Sequence, residues 1–90
     1  MKIDLNALRN VRFSMNDVFS TDQQRVKRRS LLQKSELLGN LYKRRVNIFF
    51  HNIEGKVGKV EATIWSVGTE FVLLGAGVVV PIRAIEHVDF

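Results

Sequence analysis

From residue 44 onward the hydrophobic pattern of this chain takes a period of two. In "RVNIFFHNI", Val46, Ile48 and Phe50 fall on one side, and Arg45, Asn47, Phe49 and His51 on the other. In "VGKVEATIWSV", Val60, Ala62 and Ile64 alternate with Lys59, Glu61, Thr63 and Trp65. Strict alternation of this kind belongs to strands with one face buried. Glycines punctuate the segment: Gly55 in "IEGK", Gly68 in "SVGTE", and Gly75 and Gly77 in "GAG". Three further strands follow from these breaks, "EFVLL", "VVVPIR" and the very short "HVDF". Gly58 inside the second strand predicts a bulge or sharp bend, and Pro81 predicts an edge position or a bulge.

The first half reads differently. Thr21 and Gln24 have capping-box spacing, helix formers run from Gln23 to Leu38, and Gly39-Asn40 reads as a stop. The pattern predicts a helix over 22–38, packed by its C-terminal turns through Leu31 and Leu38, with its N-terminal half projecting. Residues 1–20 form either a short helix or an extended arm. The chain divides into an N-terminal arm (1–20), a basic helix (21–39) and a strand-rich unit (40–90). One helix followed by five short, bent strands predicts a mainly β domain with an N-terminal helix, an SH3-like or OB-like small barrel.

Charge follows the same division. Residues 1–45 hold eleven Lys/Arg and four Asp/Glu, a balance of +7; residues 46–90 hold three and five, a balance of −2. A basic half of this kind attracts phosphate polyanions and anionic membrane surfaces alike; the helix has no broad apolar face opposite its charges, so the expectation is nucleic acid and no membrane. Arg25, Arg28 and Arg29 lie three and four apart on one helical ridge, and Lys43, Arg44 and Arg45 follow the helix as a second cluster. Strand alternation points Lys43 and Arg45 away from the Val46–Ile48–Phe50 face and puts Arg44 on the core side. With 46% hydrophobic residues the chain is a folding sequence. The absence of cysteine excludes disulfides and thiolate chemistry and fits a reducing cytoplasm. The N-terminus lacks the continuous apolar core of a signal peptide, and the most apolar run, 71–82, is too short to span a bilayer.

Residues 37–90 resemble the Sm fold, and in particular the bacterial Sm-like RNA chaperone family Hfq. The likeness rests on "LLGNLYKRRVNIFF" entering the first strand, "EGKVGKVEATIW" as a long bent second strand carrying a Gly, "EFVLL" opened by a Phe, and "VVVPIRAIEHV" at the end. The resemblance implies a ring in which the strand at 78–83 of one subunit pairs with the strand at 86–90 of the next. It implies base stacking on Phe71 and basic rim positions at Lys43 and Arg45. Ile82 and Arg83 stand where that family has a Lys-His pair, and Lys34 stands where it has a helix glutamine. Uridine specificity is therefore not carried over.

Catalytic and metal sites find no motif: His51 and His87 come from the first and last strands, without ligand spacing. No cofactor motif is present either, since "GAG" lacks a following helix and a Lys-Ser/Thr pair. The expectation is a non-enzymatic, self-associating RNA-binding protein. Arg25, Arg28, Arg29, Lys43, Arg44, Arg45 and Arg83 would contact phosphates, and Phe71 would stack on a base. Phe49 and Trp65 are the other aromatics that alternation turns away from the core. The competing expectation is an SH3-like interaction module whose basic helix docks on an acidic protein.

Overall fold

Val46, Ile48 and Phe50 are 2 % exposed or less, while Asn47, Phe49 and His51 between them are half-buried. Alternation thus does in space what it does in sequence. A computed structural model describes residues 1–90, with one α-helix, α1 (Asp22–Tyr42), and six strands: β1 (Val46–His51), β2 (Val57–Ala62), β3 (Ile64–Val67), β4 (Phe71–Leu74), β5 (Val79–Pro81) and β6 (Ile85–Asp89). The strands form two antiparallel three-stranded sheets, ordered β2-β1-β6 and β3-β4-β5. The protein is mainly β with an N-terminal helix.

The sequence predicts five strands; the sixth arises because "VGKVEATIWSV" breaks at Thr63. The carbonyl of Thr63 accepts from the Gly75 N–H at 3.1 Å, and the register shifts between Ile64 and Ser66. One run of chain therefore leaves the first sheet and enters the second. Gly58 makes no bulge: β1 and β2 stay in register through Phe50↔Gly58. It is needed because a Cβ there would stand 2.5 Å from the Phe50 ring. Pro81 ends β5, which pairs only with β4 and is an edge strand, as the missing N–H requires.

The helix begins as predicted. Thr21 caps it by accepting from the Gln24 N–H at 3.2 Å. It does not stop at Gly39. It runs on to Tyr42, and Lys43 closes it in the left-handed region at φ 53°, with its N–H bonded to the Gly39 carbonyl. Gly39 serves packing instead: an added Cβ would lie 2.2 Å from the Ile64 carbonyl oxygen. The buried stripe is Arg28, Leu32, Ser35 and Gly39, so the helix packs along its middle and not by its last turns alone. Leu31 and Leu38 are half-buried, and Tyr42 is exposed.

Residues 1–20 are built into the domain. Ile3 N–H donates to the Lys59 carbonyl and Lys59 N–H to that of Met1, so the chain start runs beside β2 as a parallel bridge. A 3-10 turn at Asn6–Asn10 carries Leu8, 2 % exposed, into the core shared by both sheets and the helix. Phe13 meets Phe50 edge to face, with centroids 5.9 Å apart. No helix is long and apolar enough to cross a membrane.

Candidate nucleic-acid interface

The arginine ridge of α1 is engaged by the rest of the protein: Arg28 is buried, Arg29 half-buried, and Arg25 exposed but hydrogen-bonded. Arg28, predicted as a phosphate contact, is 5 % exposed. Its guanidinium donates to both carboxylate oxygens of Asp17 and to the Ile85 carbonyl, and lies 5.0 Å over the Phe19 ring. No local pattern in the arm marks Asp17 as the residue that folds back onto this ridge. Burial alone would raise the Asp17 pKa. The hydrogen bonds from Arg28 and the Phe19 N–H, with the charges of Arg28 and Arg25, outweigh it and hold the carboxyl below its ordinary value. Arg25 donates to the Phe19 carbonyl and stands 3.6 Å from both Asp17 and Asp22. Arg29 donates to the carbonyls of Gly68 and Thr69, 3.0 Å each, tying the helix to the turn before β4.

The second cluster is more open. Lys43, Arg44 and Arg45 are all exposed. Strand alternation does not place Lys43 and Arg44, because β1 begins only at Val46: Lys43 caps the helix, and Arg44, expected on the core side, is exposed and donates to the Phe90 carbonyl at 3.2 Å. Lys34 lies 5.4 Å over the Phe90 ring, so helix, cluster and C-terminus meet at one corner. Arg45 is 73 % exposed and only 3.8 Å from Glu61, a loose surface pair. It also borders an open cleft of about 710 Å³ shared with Lys2, Glu61 and Trp65. Trp65 is half-buried there against the arm, while Phe49 packs 6.0 Å from the His87 ring.

Phe71 and Arg83 come together. Both line a groove of about 490 Å³ that runs between the arm and β5. Leu8, Val11 and Phe13 form one wall; Val79 and Pro81 form the other. Phe71, opposite Pro81 in the sheet, keeps 48 % of its surface exposed. Arg83 is held by its Nε–H to the Ser14 carbonyl at 2.6 Å, and its own carbonyl accepts from Val18 N–H. Arg9 completes the groove, fixed by a hydrogen bond to the Ala76 carbonyl. Sequence reasoning missed Arg9 because nothing placed the arm; the signal was a basic residue next to an apolar one, Leu8, in a stretch of poor periodicity. Two arginines and no carboxylate line this groove, giving it a positive field beside an exposed aromatic face.

His51 Nε2 lies 2.9 Å from Glu86, a cross-strand pair on an exposed face, and no cluster of three metal-ligating side chains forms. No protein-family model, no curated protein and no solved structure matches the chain.

Proposed function

We propose that this chain is a non-enzymatic RNA-binding protein of Sm-like small-barrel architecture that self-associates and acts in the cytoplasm. The observation that carries the reading is the groove where Phe71, Arg83 and Arg9 meet without an opposing carboxylate. An exposed aromatic ring beside guanidinium groups fits a stacked base and its flanking phosphates. Lys43, Arg44 and Arg45, with the exposed Lys34, extend the basic surface toward the C-terminal end of α1.

The connectivity supports the barrel. Through the break at Thr63 the strands follow one path, β6-β1-β2 into β3-β4-β5, as in a five-stranded barrel whose second strand is bent. That path leaves β5 and β6 as its two terminal strands, the segments through which subunits of a ring would pair. Val79 on β5 is 50 % exposed, and an apolar open edge favours pairing with another chain.

Filter binding to oligo-U and oligo-A at two salt concentrations tests the reading. Expected is clear affinity at low salt, falling steeply as salt rises because phosphate contacts release counterions. Replacing Phe71 by Ala removes a stacking contribution of about 1–3 kcal/mol per base. No detectable affinity at low salt overturns the proposal. The unpaired β5 edge also favours a second reading, an SH3-like protein-interaction module. A pull-down treated with nuclease separates the two: protein partners that survive support the module, and loss of all partners supports RNA.

A further inference from the structure

Arg83 also borders a second, smaller depression. This hollow of about 240 Å³ lies between α1, the turn before β4 and the segment after β5. Arg25, Arg28, Arg29 and Arg83 form it together with Asp17 and Glu70. Four guanidinium groups face two carboxylates in the lining, and Asp22, 3.6 Å from Arg25 just outside it, offsets one more charge, so the hollow keeps a positive excess of one. Asp17 is committed to Arg28 at 2.7 Å. Arg29 and Arg83 are in no ion pair: the partners that fix them are the neutral carbonyls of Gly68, Thr69 and Ser14. Arg28 is itself a wall, 5 % exposed, and its buried Nε–H has no hydrogen-bond partner. Arginines pinned by carbonyls are preorganised, so little side-chain entropy is lost when an anion arrives.

We infer that this hollow is a binding site for a phosphomonoester group. A phosphodiester carries one negative charge, whereas a monoester carries about −1.5 to −2 near neutral pH, so the monoester gains more from Arg29 and Arg83, the two lining guanidinium groups that are in no ion pair. Three acceptor oxygens suit several converging guanidinium forks. Arg83 lines both depressions, so a strand with a base on Phe71 would place a terminal phosphate within reach of the hollow. The inference rests on the RNA-binding reading only for the source of that phosphate; a free phosphomonoester metabolite presents the same chemistry.

The test uses the full chain and two probes. Inorganic phosphate is titrated against chloride at equal ionic strength, following the melting temperature and the backbone amide signals of Thr69 and Glu70. Oligonucleotides of one sequence are compared with a 5′-phosphate, a 3′-phosphate or hydroxyls at both ends. Expected are a rise in melting temperature and saturable shifts at Thr69 and Glu70 with phosphate, and about tenfold tighter binding for one phosphorylated end. Arg29→Gln abolishes both effects, and Phe71→Ala abolishes the RNA effect while keeping the phosphate effect. A phosphate response without any preference for phosphorylated RNA supports the hollow with a small molecule as its source. If RNA does not bind at all, the proposed function falls while the phosphate response still decides the hollow. Amide signals and melting temperature that respond to phosphate no more than to chloride overturn the inference, and that reading needs no variant to fold.

Discussion

Arg28 grips Asp17 through two charge-assisted hydrogen bonds, Nη1 to Oδ1 at 2.8 Å and Nη2 to Oδ2 at 2.7 Å, joining α1 to the arm. The pair fastens the last third of residues 1–20 against the helix, while Leu8 and Phe13 fasten the middle through the core. An ion pair with one partner this buried is valuable mainly in being complete. Removing one member strands the other charge away from water.

Asp17→Asn should therefore cost about 3 kcal/mol at neutral pH, read by urea or thermal unfolding. The pH dependence follows from the sign of the Asp17 shift. Its folded pKa lies below its unfolded one, so the stabilisation is fully present above about pH 4, the ordinary aspartate value, and is lost as pH falls through the folded pKa. The stability gap between wild type and Asp17→Asn should shrink toward zero in that acid range. A gap that stays constant down to about pH 2 contradicts the assignment.

Gly39→Ala tests why the helix carries a glycine three residues before its end. In an open helix the change would stabilise by up to about 1 kcal/mol. Here the new Cβ would stand 2.2 Å from the Ile64 carbonyl oxygen, and a backbone atom cannot swing aside. Helix α1 must then lift from β3, at a cost of about 1–3 kcal/mol or more. Unfolding in denaturant measures it; a variant as stable as wild type contradicts the close approach.

The strands were legible because alternation is a direct record of which face is buried, and Val46, Ile48 and Phe50 needed no tertiary information. Gly39 and Gly58 misled for one shared reason. A glycine reads as a helix stop or a bulge from local conformation, but both are demanded by a neighbour distant in sequence, Ile64 and Phe50 respectively. The Arg25–Arg28–Arg29 ridge misled similarly. Its spacing was right, yet whether a basic ridge meets water or a carboxylate depends on Asp17, on an arm whose weak periodicity placed nothing. Within the candidate site, Phe71 and Arg83 were found from the resemblance, whereas Arg9 came only from the folded arm.

Lys43→Gly separates charge from backbone. Lys43 holds φ 53°, a conformation that costs a non-glycine residue roughly 1–2 kcal/mol and costs glycine little. The substitution should leave the melting temperature unchanged or raised. If Lys43 contacts phosphate, it should also weaken RNA binding and reduce the salt slope by about one unit. Unaltered affinity and slope would remove Lys43 from the interface while leaving its structural role standing.

Val79→Lys addresses self-association through the open edge. Val79 is half exposed on β5, opposite Leu73, while its neighbours Val78 and Val80 point into the core at 1 % exposure or less. A lysine at this position leaves those inward contacts intact and loses only a partly buried methyl pair, so the isolated subunit should melt within a few degrees of wild type. An edge carrying a lysine is a poor template for strand pairing, because the ammonium group must be desolvated or displaced. Light scattering should show wild type as a ring-sized assembly and Val79→Lys as a monomer. Equal masses for the two proteins, both assembled, would exclude β5 as the pairing edge. A monomeric wild type would exclude the ring itself, leaving the Phe71 groove as a site that each subunit must build alone.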